Sequence, residues 1–264
     1  MVLGLRRALQ LAWPLARRDI AARYRGSMAG LLWTLIGPLA MVAIYAAVFQ
    51  GVFKARWPGS GGADSDGLSY ALRLFAGLIV FSAFSEVAGR ATRLMQDNAS
   101  LVKRVVFPLE LLALALVLQV AVHMAVQLGV LTLLAVLTGA GLQASLLWLL
   151  ALLPWVLALL LAVALALAAL GCYLRDLQHL VPLAMSGLMF LSPVFYPMDQ
   201  APEVLRGLLW LNPLTAPIEA MRAAWFGLPV NLELLGLQAL ATALALPLAA
   251  LLFRRLRPGF ADLV

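Results

Sequence analysis

One stretch of this sequence is free of charge over an unusual length. Between residues 146 and 172 no side chain is charged, and one helix across the hydrocarbon core of a bilayer needs about 20 apolar residues. The whole chain is apolar at 64% of its 264 positions and charged at only 12%. A soluble domain of this length would leave much of that apolar surface in water. The chain is therefore expected to lie in lipid.

Six segments are apolar enough to cross a membrane, and together they make up more than half of the chain. They are residues 31–53, 70–88, 109–137, 146–172, 180–196 and 232–253. The second is weaker because Arg73 and Glu86 lie near its ends, and the fifth is short and ends at a proline. The expected fold is an all-α integral membrane protein with six transmembrane helices, forming one domain over residues 1–264.

The basic residues favour one side of this membrane. With the N-terminus inside, fourteen of the 19 Lys and Arg residues and six of the 12 acidic residues fall in inner segments, which gives about +8. The other five basic and six acidic residues fall outside, which gives about −1. Because cytoplasmic loops are enriched in Lys and Arg, both termini are expected in the cytoplasm.

Residues 1–27 are expected to form a separate amphipathic helix in the plane of the interface. One face, at about 100° per residue, carries Leu5, Leu9, Trp13, Ala16 and Ile20. Arginines occupy the opposite face, and Pro14 is expected to break or bend the helix. The alternative is a basic flank that only orients the first span.

Two connections are too apolar for ordinary loops. Residues 90–107 mix Leu and Val with Arg93 and Lys103, which predicts a short amphipathic helix on the inner side that ends before Pro108. This helix either lies on the membrane or docks into a groove of a cytosolic partner. Residues 197–231 are cut by prolines into pieces too short to span, which predicts re-entrant or interfacial helices on the outer side.

The usual catalytic motifs are absent from the sequence. Neither Lys54 nor Lys103 lies in a P-loop pattern, and no zincin or nucleophile-elbow motif occurs. No metal site is expected, and the basic charge of so apolar a chain is not read as nucleic-acid binding. His123 forms a polar stripe with Gln119 and Gln127 inside the third segment. Bonding across helices is favoured for that stripe over a proton relay.

Four motifs in the same order resemble the permease subunit of polysaccharide-exporting ABC transporters of the ABC-2 type. The first motif comprises Arg18-Asp19-Ile20, Arg23-Tyr24, Ser27, Gly30, Trp33 and Pro38. The second is Asn98-Ala-Ser-Leu-Val-Lys-Arg-Val-Val-Phe-Pro108, which resembles that family's coupling helix. The third is Tyr173-Leu-Arg-Asp-Leu-Gln-His-Leu180, and the fourth combines Ser192-Pro-Val-Phe-Tyr-Pro197 with Asn212-Pro-Leu. The resemblance covers nearly the full length.

The resemblance implies partners that supply what this chain lacks. Two copies would form a homodimeric channel in the bacterial inner membrane, driven by two separate ATPase subunits that bind ATP and Mg, with no cofactor in this chain. The residues implied for ATPase docking are Asn98, Leu101, Val102, Lys103, Arg104, Arg175 and Asp176. Those implied at the interface, near the phosphates of a lipid carrier, are Arg17, Arg18, Asp19, Arg23 and Arg25.

A path for a sugar chain would carry aromatic side chains that stack on the rings. The candidates are Trp33, Tyr45, Phe49, Phe190, Phe195, Tyr196, Trp210 and Trp225. Trp and Tyr are also common in the interfacial belt of any membrane protein. The sequence leaves open whether the cargo is O-antigen, capsule, teichoic acid, a drug or another lipid. Two further alternatives are an intramembrane enzyme, such as a glycosyltransferase or protease, and a non-catalytic assembly subunit.

Overall fold

A computed structural model describes residues 4–24, 32–48, 67–103, 107–138 and 144–264. Three residues that the sequence marks as candidates, Arg25, Phe49 and Arg104, lie outside these ranges. So do most of the predicted loop between the first two segments and the ends of the first segment itself.

The described residues form helices and turns, with no strand among them. The α-helices are α1 Leu5–Tyr24, α2 Trp33–Ala46, α3 Gly67–Ala91, α4 Leu94–Asp97, α5 Ala99–Val102, α6 Glu110–Leu137, α7 Leu149–Tyr173, α8 Leu177–Phe190, α9 Glu203–Leu211, α10 Thr215–Phe226, α11 Leu232–Leu256 and α12 Phe260–Leu263. Short 3-10 turns precede α7, α9 and α12. The all-α expectation is therefore confirmed for this part of the chain.

Four helical segments in the described ranges are long and apolar enough to cross a membrane. They are Leu68–Ala91, Glu110–Leu137, Ser145–Tyr173 and Leu232–Leu263. Two shorter apolar helices, Trp33–Ala46 and Leu177–Phe190, correspond to the first and fifth segments expected from the sequence. The helix Leu177–Phe190 ends six residues before residue 196, the expected end of the fifth segment. It ends there because Pro193 lacks an N–H and restricts the backbone of Ser192 before it.

The helix with the weakest sequence signal lies at the centre of the bundle. In Leu68–Ala91, 83% of the most apolar 18-residue stretch is buried inside the bundle, whereas 22% of the corresponding stretch is buried in Leu232–Leu263. Helix α3 packs against α2, α6, α7, α8 and α10. Arg73 of this helix is buried by protein, which is the usual setting for ionisable groups at membrane depth.

Helix α1 lies against the beginning of α6. Ala12 and Ala16 are fully buried there, in contact with Leu111 and Ala115. Trp13 on the same helix is 48% exposed. The helix continues through Pro14 to Tyr24, so Pro14 does not break it, and the bend given as the alternative stays a prediction. Its side toward α6 is made of small alanines, which permit close approach.

Hydrogen bonds join the ends of the long helices at both ends of the bundle. The Tyr173 hydroxyl donates to the Leu256 carbonyl at 2.8 Å, and Arg257 donates to the Phe107 carbonyl at 3.2 Å. These contacts gather the ends of α7 and α11 and the start of α6, hereafter the termini end. The opposite end carries α9 and α10, where the Ser145 hydroxyl donates to the Ala224 carbonyl at 2.8 Å.

Candidate functional site

Residues 92–103, hereafter the coupling segment, form two single helical turns, not one continuous amphipathic helix. Helices α4 and α5 are separated at Asn98, whose backbone leaves the helical region (φ −116°, ψ 31°). The Asn98 side-chain amide donates to the Leu94 carbonyl at 2.9 Å and so closes the first turn. Local side-chain to backbone bonding of this kind competes with helix continuation.

The coupling segment turns its apolar side chains into the bundle. Leu94, Met95 and Val102 are buried, and Leu101 is partly buried against the core. Val102 was predicted to touch a partner, but in this structure it packs inside the chain. The amide of Asn98 is also bonded within the segment. Among the predicted docking residues here, Lys103 is exposed.

The close contact between the coupling segment and α7 depends on a glycine. A Cβ on Gly171 would lie 2.1 Å from the Thr92 carbonyl oxygen, far inside van der Waals contact. The Thr92 hydroxyl donates to the Gly89 carbonyl at 2.8 Å, which stabilises the turn that follows α3. The segment is therefore fixed directly onto the end of α7.

Two loops that the sequence predicts for docking meet on one surface of the termini end. A hollow of about 300 Å³ is lined by Gln96, Ala99, Arg175, Gln178, Leu263 and Val264. The coupling segment, the loop between α7 and α8, and the C-terminal residues thus share one concave surface, hereafter the docking face. Arg175 and Asp176 are both exposed there.

A cluster of polar side chains joins α1, α3 and α6. It consists of Arg23, Glu86, Arg90, Gln119 and His123, hereafter the three-helix cluster. Glu86 Oε1 accepts from Arg23 Nη1 at 2.5 Å and from Arg90 Nη1 at 3.2 Å. Arg90 Nη2 donates to Gln119 Oε1 at 2.8 Å. His123 Nδ1 lies 3.2 Å from Arg23 Nη1 and 3.5 Å from Glu86 Oε2.

The three-helix cluster confirms the prediction of bonding across helices for two residues of the polar stripe, because Gln119 accepts from Arg90 of α3 and His123 contacts Arg23 of α1. Glu86 also pairs with Arg90, four residues further along α3. Of the other arginines predicted at the interface, Arg17 and Arg18 are exposed, and Arg18 pairs with Asp19 at 3.0 Å.

Several predicted aromatic candidates come together near the opposite end. Tyr45 and Phe195 pack against buried Tyr70, whose hydroxyl donates to the Phe195 carbonyl at 3.0 Å. The rings of Phe190 and Phe195 stack with centroids 5.9 Å apart. The Tyr196 hydroxyl donates to the Phe190 carbonyl at 3.1 Å. Phe190 remains 68% exposed, so this aromatic cluster presents a ring face outside the core.

The remaining aromatic candidates lie elsewhere. Trp33 is exposed on α2, and Trp210 is half-buried at the end of α9. Trp225 is only 3% exposed and belongs to the hydrophobic core. Trp225, predicted to contact sugar, therefore packs inside the chain in this structure, because α10 turns that side chain inward.

A buried arginine organises the connection between α8 and α11. The Arg222 side chain on α10 is fully buried. Its Nε donates to the Arg73 carbonyl at 3.1 Å, and its Nη2 donates to the Val194 carbonyl. Its Nη1 donates to Glu219 Oε1 at 3.1 Å. These groups, hereafter the Arg222 cluster, fix the turn after α8 onto the beginning of α3.

The surroundings of the Arg222 cluster are close-fitting and poorly solvated. A Cβ on Gly77 of α3 would lie 2.9 Å from Arg222 Nη2, so the glycine makes room for the guanidinium. Burial lowers the pKa of Arg222 to about 10, and the charge of Glu219 opposes that fall. Burial also raises the pKa of Glu219, against the opposing charge of Arg222.

The chain matches the profile of the ABC-2 type transporter family over residues 10–226. The chain belongs to the ABC-2 type transporter family. The matched region contains the coupling segment, the loop between α7 and α8, the three-helix cluster, the aromatic cluster and the Arg222 cluster. Its apolar helices and its family together make this ABC-2 chain a multi-pass membrane protein.

Relatives of this ABC-2 chain have names that refer to polysaccharide export. It is 29% identical over 256 residues to the O-antigen export system permease protein RfbA of Myxococcus xanthus, covering 94% of this chain and 93% of the relative. It is 24% identical over 258 residues to RfbA of Klebsiella pneumoniae, covering 95% and 93%. It is 25% identical over 210 residues to the polysialic acid transport protein KpsM of Escherichia coli, covering 78% of each.

Sequence reasoning missed the Arg222 cluster and the role of Arg23. Arg222 and Glu219 are three residues apart on a proline-flanked apolar segment, and an ion pair at that spacing was available as a signal. The bond between Arg23 and Glu86 joins residues 63 positions apart. No local pattern predicts such a pair, because it depends on how α1 lies on α6.

Proposed function

We propose that this chain is the permease of an ATP-driven transporter that exports a lipid-linked, O-antigen-like polysaccharide across the bacterial inner membrane. Family membership and the O-antigen permeases that align with more than nine-tenths of the chain support this cargo. In this proposal the chain is a transport subunit and not an enzyme. Capsule polysaccharide is the second candidate cargo, favoured by the resemblance to the polysialic acid transport protein.

Docking of a separate ATPase subunit is the step that the geometry supports best. The single observation behind it is the docking face, where residues distant in sequence share one hollow. Arg175 lines this hollow, Lys103 and Asp176 are exposed on the same two loops, and a partner with complementary charge would be steered to this face. ATP and Mg would bind to the partner, and two such permeases would form the channel.

The proposed topology keeps six crossings with both termini in the cytoplasm. Helices α2 and α8 would add to the four long segments, with α9 and α10 as re-entrant helices on the outer side. The charge of about +8 at the inner segments supports this orientation. The arginines of α1 would lie at headgroup depth, where the exposed Trp13 is also favoured.

The three-helix cluster would pass the movement of the ATPase to the spans. Arg23 connects α1 with Glu86 of the central helix α3. Helix α3 ends at Ala91, and the coupling segment follows it directly in sequence. A displacement of the coupling segment would act on α3 and, through Glu86, on α1 and α6. Exposed Arg17 and Arg18 would attract the phosphates of a lipid carrier, and the aromatic cluster would offer ring faces to the sugar.

Charge reversal on the docking face tests the ATPase interaction. In Arg175→Glu, co-purification of the ATPase encoded in the same organism should fall by about tenfold, since like charges then face each other. Arg255→Glu changes an exposed arginine on α11 outside the hollow and serves as the matched control. Equal loss in both variants, or no loss in either, would contradict this docking face.

A further inference from the structure

A polar hollow lies beside α9 at the opposite end of the bundle. It measures about 350 Å³, and its lining includes Asp199, Arg206, Trp210, Glu219 and Asn231. Two carboxylates and one guanidinium therefore face one small space. This space shares Glu219 with the Arg222 cluster and is separate from the docking face, the three-helix cluster and the aromatic cluster.

An apolar hollow adjoins it between α7 and α11. It measures about 180 Å³ and is lined by Trp148, Leu152, Trp155, Ala220, Leu235 and Ala239, with very little polar surface. The indole N–H of Trp155 donates to the Thr242 hydroxyl at 3.0 Å. Its polar atom is thus already bonded, and the ring contributes apolar surface.

The two hollows follow one another toward the membrane interior. Val230 lines both. Along α11 the lining passes from Leu234 in the polar hollow to Leu235 and Ala239 in the apolar one. Helix α11 also faces outward over much of its length. A polar space at the end of a lipid-facing helix, continued inward by an apolar groove, matches the layering of a phospholipid.

The charges of the polar hollow select among head groups. Arg206 is held by bonds from Nε and Nη2 to the carbonyls of Ala201 and Asp199, both at 3.0 Å. Asp199 lies close enough to Glu219 for its charge to act on that carboxyl. A ligand with both a phosphate and an ammonium would contact Arg206 and Asp199 at once, because charge-assisted hydrogen bonds are the strong ones. Glu219 already accepts from Arg222 and adds negative charge beside Asp199.

We propose that the paired hollows bind one phosphatidylethanolamine molecule, with its head group beside Asp199 and Arg206 and one acyl chain against Trp155 and Ala239. Phosphatidylcholine lacks the ammonium N–H donors, and phosphatidylglycerol lacks the cation altogether. A saccharide would use the polar hollow but would leave the apolar one unfilled. The proposal is independent of the cargo, so it stands or fails separately from the proposed function.

Native mass spectrometry of the purified full chain tests this site. The protein is delipidated and titrated with palmitoyl-oleoyl phosphatidylethanolamine, phosphatidylcholine or phosphatidylglycerol. One phosphatidylethanolamine should be retained in preference to the other two. In Asp199→Asn that retention should fall by about tenfold, the effect of one charge-assisted hydrogen bond. Glycerophosphoethanolamine, which has the head group without the chains, should not compete.

A matched pair of variants, each replacing one alanine of α11 by phenylalanine, tests the apolar hollow. Ala239→Phe fills the apolar hollow and should lower the retention of all three lipids, whereas Ala243→Phe on the exposed side of α11 should not. Unchanged melting temperatures would show that both variants fold. The proposal would be overturned if the wild type retained the three lipids equally or if Asp199→Asn had no effect. It would also be overturned if Ala239→Phe and Ala243→Phe had equal effects. Displacement by a free oligosaccharide or by glycerophosphoethanolamine would overturn it as well.

Discussion

The three-helix cluster and the Arg222 cluster both place charge inside the bundle, but they hold it differently. Glu86 is 22% exposed and Arg23 46% exposed, and their bonds run between side chains of separate helices. The Arg222 side chain is fully buried, and three of its bonds go to backbone carbonyls, those of Arg73, Val194 and Tyr196. One cluster joins elements through exchangeable side chains, whereas the other is built into the backbone of a turn.

This difference assigns the two clusters different parts in a transport cycle. Side-chain pairs near the surface can exchange with water and with each other, so α1 can shift against α3 at modest cost. A buried guanidinium cannot leave its carbonyls without leaving them unsatisfied. We therefore expect the termini end to move when a partner moves, while the turn after α8 stays fixed to α3.

The largest effect should come from Arg222→Leu. The substitution leaves the carbonyls of Arg73 and Val194 without their donor and removes the cation that pairs with Glu219, at a cost of about 3 kcal/mol or more. The chain should accumulate poorly and melt at a lower temperature in detergent. Arg206→Leu removes an exposed arginine of the same connection and should cost much less. Similar melting temperatures for the two variants would mean that the Arg222 cluster is not a fixed element.

Gly171→Ala should have the next largest effect. The added methyl meets the Thr92 carbonyl, so the coupling segment must move off α7, at about 1–3 kcal/mol. Helix content should be retained while co-purification of the ATPase falls. Gly129→Ala on α6, where nothing lies within 4 Å, is the control and should behave like the wild type. If both variants bind the ATPase normally, the position of the coupling segment is not set by this contact.

Glu86→Gln should be milder and should act on α1 alone. Loss of the charge weakens the bonds to Arg23 and Arg90, and hydrogen exchange should rise in α1 but not in α3. A double-mutant cycle with Arg23→Gln should show a coupling of about 1 kcal/mol. The cycle with Arg18→Gln should be additive, because the Arg18–Asp19 pair is local. Additivity in both cycles would remove the three-helix cluster from the account.

The smallest effect on stability is expected for Phe190→Ala. The ring is 68% exposed, so the free energy of unfolding should change by about 0.5 kcal/mol or less. Export of the polysaccharide should nevertheless fall if the aromatic cluster contacts sugar. Trp225→Ala is the contrast, because that buried side chain should affect folding first. Normal export by a stable Phe190→Ala variant would exclude this ring from the path.

The sequence predicts helices well here because lipid allows little else. Charge-free stretches such as 146–172 have one stable form in a bilayer, and the observed α7 matches closely. The charge at Arg73 and Glu86 made the second segment look weak, although α3 is the central helix. Hydropathy measures preference for lipid, and a helix enclosed by other helices does not depend on it.

The site was predictable only where it is local. The docking loops were recognisable as loops with their own residue patterns, and the structure brings Ala99 and Arg175 onto one hollow. Val102 turns inward because the chain bends at Asn98. A prediction that assumes one continuous helix over this segment does not include that bend. Arg23 meets Glu86 through tertiary packing alone, so its partner was beyond any pattern in the sequence.

The central claim is that this chain moves a lipid-linked polysaccharide when a docked ATPase hydrolyses ATP. The most direct measurement is glycan translocation into the lumen of inverted vesicles that contain the chain and its co-purified ATPase. The account predicts translocation that requires ATP and disappears both with a hydrolysis-deficient ATPase and with Arg175→Glu. Translocation that continues without any ATPase, or none from the complete pair, would contradict it.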